Sequence, residues 1–184
     1  MAAESVKIPL GTSLPSFNLS DPYGKYYTEK DLMGQKGLVV IFTCNHCPYA
    51  QAVWPRTIEL YHKVKDKGVN FVAINPNAPN PNYPEDSPEK MKEYIQKLNI
   101  PFPYLVDSTQ EVARKFNAQC TPDIYLYNAQ GQLVYHGRFD DNWKDPQKVT
   151  KKDLEEAINN LIEGRPINSE QYPSIGCSIK WTNS

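Results

Sequence analysis

The chain has 184 residues, 40% of them hydrophobic, and a formal net charge of −1 at neutral pH. This length and apolar content fit one folded domain, and the near-neutral charge gives no indication of a nucleic-acid or membrane-surface partner. The first eleven residues lack the apolar core of a signal peptide, and no apolar run approaches the ~20 residues that cross a bilayer. Four cysteines are too few for a disulfide scaffold. We therefore expect a cytoplasmic protein.

Hydrophobic periodicity predicts strands and helices in alternation along most of the chain. In chain order, the predicted elements are strands over 17–19 and 25–27, a helix over 29–33, a strand over 38–43, a helix that ends at Gly68, a strand over 69–74, a helix after Ser87, a strand over 102–106, a helix over 110–116, strands over 124–127 and 133–135, and a helix that opens at Thr150 and ends at Gly164. Three hydroxyl side chains precede predicted helices and are expected to cap them: Thr28, Ser87 and Thr150. Pro55 lies inside a predicted helix, where we expect a kink.

Alternation of strands and helices is typical of an α/β fold. We expect a mixed central β-sheet with parallel strands at its centre, an antiparallel hairpin at its edge and helices on both faces. A short strand pair precedes this core as an N-terminal extension. We interpret residues 1–184 as a single domain, with a core at about 10–163 and a C-terminal tail over 164–184. The loop over 75–84, rich in proline and asparagine, is expected to be a surface connection, with a substrate lid as the alternative.

One stretch combines a buried strand with two cysteines. Five unbroken apolar residues, 38–42, predict a strand that is buried on both faces. Cys44 and Cys47 follow at once, and a helical pattern begins after them. A thiolate where a strand ends and a helix begins faces free backbone N–H groups and the positive end of the helix dipole, which lower a cysteine pKa. The other cysteines, Cys120 and Cys177, are single and distant, so the second Cys/His pair of a zinc site is missing. The pattern favours a redox pair that needs neither metal nor cofactor.

Two motifs resemble those of the thioredoxin-like superfamily, and within it the peroxiredoxin-like redoxin branch related to alkyl hydroperoxide reductases. One is Phe-Thr-Cys-Asn-His-Cys-Pro-Tyr at 42–49, and the other is Cys-Thr-Pro-Asp-Ile-Tyr-Leu-Tyr-Asn at 120–128. The resemblance covers roughly residues 10–163 and implies a thioredoxin-like fold. It also implies a cis peptide bond before Pro122, facing the cysteines, and a backbone at Thr121 that pairs with the substrate.

The chain departs from thioredoxins near the cysteines. Thr43 stands where thioredoxins have tryptophan, and no acid lies at the start of the preceding strand, so the proton acceptor for Cys47 is unassigned. His46 occupies a position at which the oxidising Dsb enzymes also carry histidine. It is expected to stabilise a thiolate at Cys44 and to lower the pKa of that thiol.

The sequence thus predicts a thiol–disulfide oxidoreductase that cycles between a Cys44–Cys47 dithiol and disulfide. Cys44 is expected to have the lower pKa and to attack a substrate disulfide, and Cys47 is expected to resolve the mixed disulfide. The expected partners are protein or small-molecule disulfides, with peroxides as an alternative substrate, and an external thiol reductant.

A thiol peroxidase is the first alternative. In such an enzyme a peroxide would oxidise Cys44 to a sulfenic acid, which Cys47 or Cys120 would resolve. Arg138 is a candidate for the arginine that peroxiredoxins place near the reactive sulfur. The threonine that they carry three residues before the reactive cysteine is replaced here by Ile41.

A copper-binding chaperone similar to the Sco proteins is the second alternative. It would bind the metal with Cys44, Cys47 and His136, because two thiolates and an imidazole suit copper. The outlying cysteines have less specific interpretations. Burial as a small core side chain is favoured for Cys120 over a further redox role, and Cys177 in the tail is expected to be structural or idle.

Overall fold

The computed structural model describes residues 1–182, which fold around a seven-stranded mixed sheet. The strands are β1 (Ala2–Glu4), β2 (Asn18–Ser20), β3 (Tyr26–Thr28), β4 (Gly37–Phe42), β5 (Val69–Asn75), β6 (Tyr104–Val106), β7 (Cys120–Thr121), β8 (Asp123–Asn128), β9 (Leu133–Gly137) and β10 (Ile175–Ser178). In the central sheet their order is β3-β2-β6-β5-β4-β8-β9. Strand β4 pairs in parallel with β5 and antiparallel with β8, and β8 forms a hairpin with β9. The predicted mixed sheet is therefore confirmed.

Strand β4 lies inside the sheet because its sequence suits burial on both faces. All six of its residues are buried, and Leu38, Val39 and Val40 have no exposed surface. Apolar and β-branched side chains pack well on both faces of a pleated sheet. The strand therefore delivers the segment after Phe42 to the edge of the sheet at which its parallel neighbour β5 also ends.

The helices cover both faces of the sheet, as predicted. They are α1 (Glu29–Leu32), α2 (Pro48–Val64), α3 (Pro88–Leu98), α4 (Glu111–Phe116) and α5 (Asp153–Ile162). One apolar cluster joins α2, α3 and α5 to the sheet through side chains that include Trp54, Met91 and Leu154. A second cluster, which contains Leu32 of α1 and Phe116 of α4, lies on the other face. The two clusters contain alternate residues of β4, because successive side chains of a strand point to opposite faces of the sheet.

A second, three-stranded sheet was not predicted. Its order is β1-β10-β7, so the C-terminal tail lies between the N-terminal strand and the segment before Pro122. Gly176 is needed where β10 crosses this segment, because a Cβ atom there would collide with the carbonyl oxygen of Thr121. These strands have two to four residues and no alternating pattern, so sequence periodicity could not reveal them.

The first part of the loop over 75–84 is buried and differs from the surface connection that was expected, whereas Pro81, Asn82 and Pro84 are exposed. Asn75 and Asn77 have no exposed surface, and Asn80 is also buried. Their amides replace the hydrogen bonds that a buried loop otherwise lacks. The Asn77 side chain accepts from the backbone N–H of Lys180 at 2.9 Å, and the Asn80 amide donates to the carbonyl of Lys180 at 3.1 Å. The tail therefore covers this loop.

Two of the three predicted helix caps are present. Thr28 forms a capping box with Asp31, and the Ser87 hydroxyl accepts from a backbone N–H of α3. The prediction for Thr150 was wrong, because α5 begins after Lys152 and the Thr150 hydroxyl donates to Asp141 instead. Among residues 1–182, no helix has the length and apolar character needed to cross a bilayer.

Candidate active site

The end of β4 places Cys44 against the segment before β8. The Cys44 Sγ lies 3.3 Å from the hydroxyl oxygen of Thr121, and the carbonyl of Cys44 accepts from the indole N–H of Trp54 at 3.1 Å. The residue has no exposed surface. Strands β4 and β8 are paired as far as Phe42 and Asp123, so the segments that extend beyond this pair are held side by side.

Cys47, and not Cys44, stands at the beginning of helix α2. It is the N-cap residue, and Pro48 occupies the first helical position. The Cys47 thiol donates to the carbonyl of Thr121 at 3.4 Å. The sequence analysis placed Cys44 at the helix start and Cys47 one turn inside. The structure corrects this placement, because proline favours the first helical position and the helix therefore starts after the second cysteine.

The surroundings of the two sulfurs give them different proton affinities. Hydrogen bonds from the Cys44 thiol, and then from the Cys177 thiol and two backbone N–H groups, lower the pKa of Cys47 to about 5. Burial, and then the neighbouring Cys47 thiolate, raise the pKa of Cys44 well above its usual value. This order is the reverse of the one expected from the sequence, and which sulfur attacks first stays a prediction.

A buried carboxylate that the sequence analysis missed lies beside the pair. Asp86 has no exposed surface, and it accepts from the backbone N–H of Asn45 at 2.6 Å and from Nδ1 of His46. One of its oxygens lies within 4.8 Å of the Cys44 Sγ. Thioredoxins carry their buried acid near the start of the central strand, so a carboxylate from another segment was not expected. The available signal was an acidic residue in the loop after β5, the strand that lies next to β4 in the sheet.

His46 interacts primarily with this carboxylate. Its ring also stacks on Tyr83, with 5.4 Å between the ring centroids. The hydrogen bond to Asp86 raises the pKa of His46 from its usual value, although burial opposes the shift. The imidazolium form is therefore favoured. The expected effect of His46 on the pKa of Cys44 stays a prediction.

Within residues 1–182, one group of three potential metal ligands lies close together: Cys44, His46 and Asp86. The hydrogen bond between His46 and Asp86 accounts for two of these three side chains. We therefore interpret the group as a hydrogen-bonded acid–imidazole pair next to a thiol.

The peptide bond between Thr121 and Pro122 is cis, as the resemblance implied. Strand β10 of the same chain pairs with Thr121 and places Cys177 opposite it. A substrate backbone could use this edge of Thr121 only after β10 moved, so the substrate-binding role expected for Thr121 and Pro122 stays a prediction. Beyond Pro122, an open groove of about 220 Å³ has Val53 and Trp143 among its lining residues.

Cys120 lies outside the pair of sulfurs. Its thiol is directed to the carbonyls of Pro122 and Ser174, at 3.6 and 3.9 Å. Burial raises its pKa, which disfavours a reactive thiolate. These contacts are those of a small buried side chain, the interpretation that the sequence favoured.

Cys177 belongs to the site, although it was expected to be structural or idle. It forms one apolar cluster with Cys44, Cys47 and Ala50, the third residue of α2. The sequence could not show this, because the position of Cys177 depends on the pairing of β10 with Thr121.

The residues of the two alternative hypotheses have other partners. The Nε2 of His136 lies 2.7 Å from the Asp123 carboxylate, and its ring stacks on Tyr125. In the described part of the chain, no group of three metal ligands includes His136. The Nε of Arg138 donates to Asp153 at 2.7 Å. The predicted copper ligand is thus hydrogen-bonded to a carboxylate, and the predicted peroxidase arginine forms an ion pair.

Comparisons with known proteins agree with this geometry. Residues 10–136 match the AhpC/TSA family. The structure is similar to that of an uncharacterized conserved protein from Geobacillus kaustophilus, with a TM-score of 0.95 and 43% identity over 100% of this chain and 98% of the other. The thiol-disulfide oxidoreductase ResA of Bacillus thuringiensis (strain Al Hakam) is 26% identical over 132 residues, which are 72% of this chain and 71% of the relative.

A putative thiol:disulfide interchange protein DsbE from Chlorobium tepidum shares the architecture, with a TM-score of 0.64 and 17% identity over 86% of this chain and 98% of that one. The fold is thioredoxin-like. By the match of residues 10–136, the chain belongs to the AhpC/TSA family.

Proposed function

We propose that the chain is a thiol–disulfide oxidoreductase that cycles the Cys44–Cys47 pair between dithiol and disulfide. The observation that carries the proposal is the arrangement of the two thiols: both sulfurs contact Thr121, and Cys47 stands at the start of α2, where its lowered pKa favours the thiolate. Disulfide exchange requires this combination of an attacking and a resolving sulfur. The ResA relatives are named for the same activity.

Cys47 makes the first attack. Its thiolate displaces one sulfur of a substrate disulfide, so the substrate S–S bond breaks and a mixed disulfide joins Cys47 to the substrate. The departing sulfur leaves as a thiolate and takes a proton from solvent. This order reverses the roles predicted from the sequence, because the low pKa belongs to Cys47 and not to Cys44.

Cys44 then resolves the mixed disulfide. When the Cys47 sulfur bonds to the substrate, it loses its negative charge. This loss removes one of the causes that raise the pKa of Cys44. Asp86, within 4.8 Å of the Cys44 sulfur, is the acceptor for the proton. The Cys44 thiolate attacks the Cys47 sulfur, the second substrate sulfur leaves, and the Cys44–Cys47 disulfide remains. An external thiol reductant returns the two electrons.

Protein disulfides are the substrate class that fits best. The groove beyond Pro122 is open and is bordered by aromatic and charged side chains, including Trp143, Tyr172 and Asp140. Such a surface suits a polypeptide segment. Arg138 is bound to Asp153, which favours disulfides over peroxides as substrates. The cytoplasm, a reducing compartment, is the location we propose for a pair that must be reduced again in each cycle.

The wild-type protein is expected to accelerate the reduction of insulin disulfides by dithiothreitol, a reaction that is followed by the turbidity of the released chains. The physical reason is that a thiolate already formed at neutral pH attacks faster than the largely protonated thiols of free dithiothreitol. A rate equal to that of dithiothreitol alone, together with rapid consumption of hydrogen peroxide, would contradict the proposal and support the peroxidase alternative.

Asp86→Asn is expected to slow the resolving step at neutral pH, because the variant removes the proton acceptor next to Cys44. The readout is the rate at which the Cys44–Cys47 disulfide forms after rapid mixing with oxidised glutathione, measured by acid quenching and mass spectrometry. Glu85→Gln is the matched control, because it removes an exposed acid from the same loop and keeps the backbone carbonyl that binds the Asn45 amide.

The same variant has a predicted effect of pH on stability. The folded state raises the pKa of His46, so the His46–Asp86 pair stabilises the fold fully below the unfolded pKa and loses this contribution as pH rises through the folded pKa. Asp86→Asn should therefore lose more free energy of unfolding at about pH 6 than at about pH 9 in urea titrations. Equal losses at both values would show that the ion pair contributes nothing.

A further inference from the structure

The cycle described above uses two cysteines, yet a third lies against them. In the pairing of β10 with β7, Cys177 is the residue opposite Thr121. The side-chain and backbone oxygens of Thr121 contact the sulfurs of Cys44 and Cys47. Cys177 and Cys47 belong to one buried cluster, which brings their side chains together. All three cysteines therefore lie around one residue of strand β7.

The position of Cys177 is firmly determined by the fold. Strand β10 is paired on both edges, with β1 on one side and β7 on the other. Gly176, next to the cysteine, allows the closest approach to the carbonyl of Thr121, where no side chain would fit. Three residues after Cys177, the backbone N–H and carbonyl of Lys180 are bound by Asn77 and Asn80. Cys177 itself is buried in the cluster with the pair.

We propose that Cys177 is a second resolving cysteine, which attacks the Cys47 sulfur of the mixed disulfide in competition with Cys44. This inference rests on the proposed function, since it needs a mixed disulfide at Cys47. In the step, the Cys177 thiol loses its proton to solvent and its thiolate bonds to the Cys47 sulfur. The bond from Cys47 to the substrate breaks, and the substrate sulfur leaves with the electron pair and takes up a proton. The product is a Cys47–Cys177 disulfide, with Cys44 still a thiol.

The charges at the site change in favour of this step when the mixed disulfide forms. Burial, and then the Cys47 thiolate, raise the pKa of Cys177 to about 11 in the reduced protein, whereas Lys180 opposes the shift. The mixed disulfide at Cys47 carries no charge, so the contribution of the thiolate is lost while that of Lys180 persists. Cys177 is therefore easier to deprotonate once there is a bond for it to attack.

The product disulfide joins two elements of the fold. Cys47 caps α2, and Cys177 lies in β10, so the bond would tie the C-terminal strand to the start of the active-site helix. A later attack of Cys44 on Cys47 would transfer the disulfide back to the Cys44–Cys47 pair and free Cys177. Cys177 in the C-terminal strand is thus a second disulfide partner for Cys47.

The experiment removes Cys44, so that only Cys177 is left to resolve Cys47. Cys44→Ser, the double variant Cys44→Ser/Cys177→Ser and the control Cys44→Ser/Cys120→Ser are each mixed with oxidised glutathione, quenched with acid and mapped by peptide mass spectrometry. We expect Cys44→Ser and the Cys120 control to release glutathione and to contain a Cys47–Cys177 bridge. The double variant without Cys177 is expected to keep glutathione on Cys47. A version with Cys177→Ala, checked by its thermal unfolding, guards against a defect specific to serine.

The outcomes separate this inference from the function on which it rests. If Cys44→Ser retains as much glutathione on Cys47 as the double variant and contains no bridge, Cys177 does not resolve and the inference is wrong, while Cys47 remains the attacking residue. If neither variant takes up glutathione and no bridge forms, Cys47 does not attack, and both the order of attack and the inference are overturned.

Discussion

Cys47→Ser is expected to lose all catalysis of insulin reduction, so that the rate falls to that of dithiothreitol alone. Serine has nearly the same size, but its hydroxyl remains protonated where the thiol of Cys47 is ionised, and it forms no mixed disulfide. Cys44→Ser is expected to turn over more slowly than wild type, because it removes the principal resolving sulfur and leaves Cys177 to resolve the mixed disulfide. Cys120→Ser is the matched control, since Cys120 contacts two backbone carbonyls instead of the pair, and it should keep the wild-type rate.

The pH dependence of the first attack provides an independent check of the same residue. The rate depends on the thiolate at Cys47, whose pKa is about 5, so it should be constant above that value and fall as the pH is lowered through it. Ultraviolet absorbance of the thiolate should show a transition at the same pH, which Cys47→Ser removes and Cys120→Ser leaves in place. If Cys47→Ser keeps the transition and Cys44→Ser loses it, the attacking residue is Cys44, as the sequence suggested.

Trp54→Ala is expected to cause the largest loss of stability among single substitutions near the site. The indole is buried and packs on Tyr104, Phe102 and Tyr94, with ring centroids 5.1, 6.1 and 6.0 Å away. Removing a buried tryptophan costs about 3–5 kcal/mol, through lost contacts and the cavity that remains. Since a domain of this kind is stable by about 5–15 kcal/mol, the variant should be close to unfolding at physiological temperature.

The Trp54 indole also connects the core to the active site. Its N–H donates to the carbonyl of Cys44 at 3.1 Å, and a buried carbonyl without a donor costs about 1–3 kcal/mol. Trp54→Phe keeps an aromatic ring and loses only this donor, so urea titration should place its free energy of unfolding between wild type and Trp54→Ala. Tyr26→Ala, at a ring that is 65% exposed, should change the stability by no more than about 0.5 kcal/mol. A small effect of Trp54→Ala would show that the core repacks around the gap.

The sequence alone determined the elements whose signals are local. The unbroken apolar run over 38–42 predicts a strand buried on both faces, and β4 is that strand. The turn before Gly131 predicts a hairpin, and β8 and β9 form it. The Cys-x-x-Cys spacing predicts a redox pair, and the motif at 120–128 pointed to the cis bond before Pro122, which is present. In each case the residues that decide the feature are neighbours in sequence, so their order is sufficient evidence.

The roles within the site were decided by contacts between distant parts of the chain. Asp86 reaches Asn45 across 41 positions of the sequence, and Cys177 reaches Cys47 because β10 pairs with β7. Neither residue lies in a local pattern that marks it. The pKa order follows from the same contacts, because the number of hydrogen bonds to each sulfur, and the burial around it, decide which thiolate is stabilised. The hydrogen bonds and the burial at each sulfur arise only in the folded structure, because strand pairing across the whole chain brings their partners together.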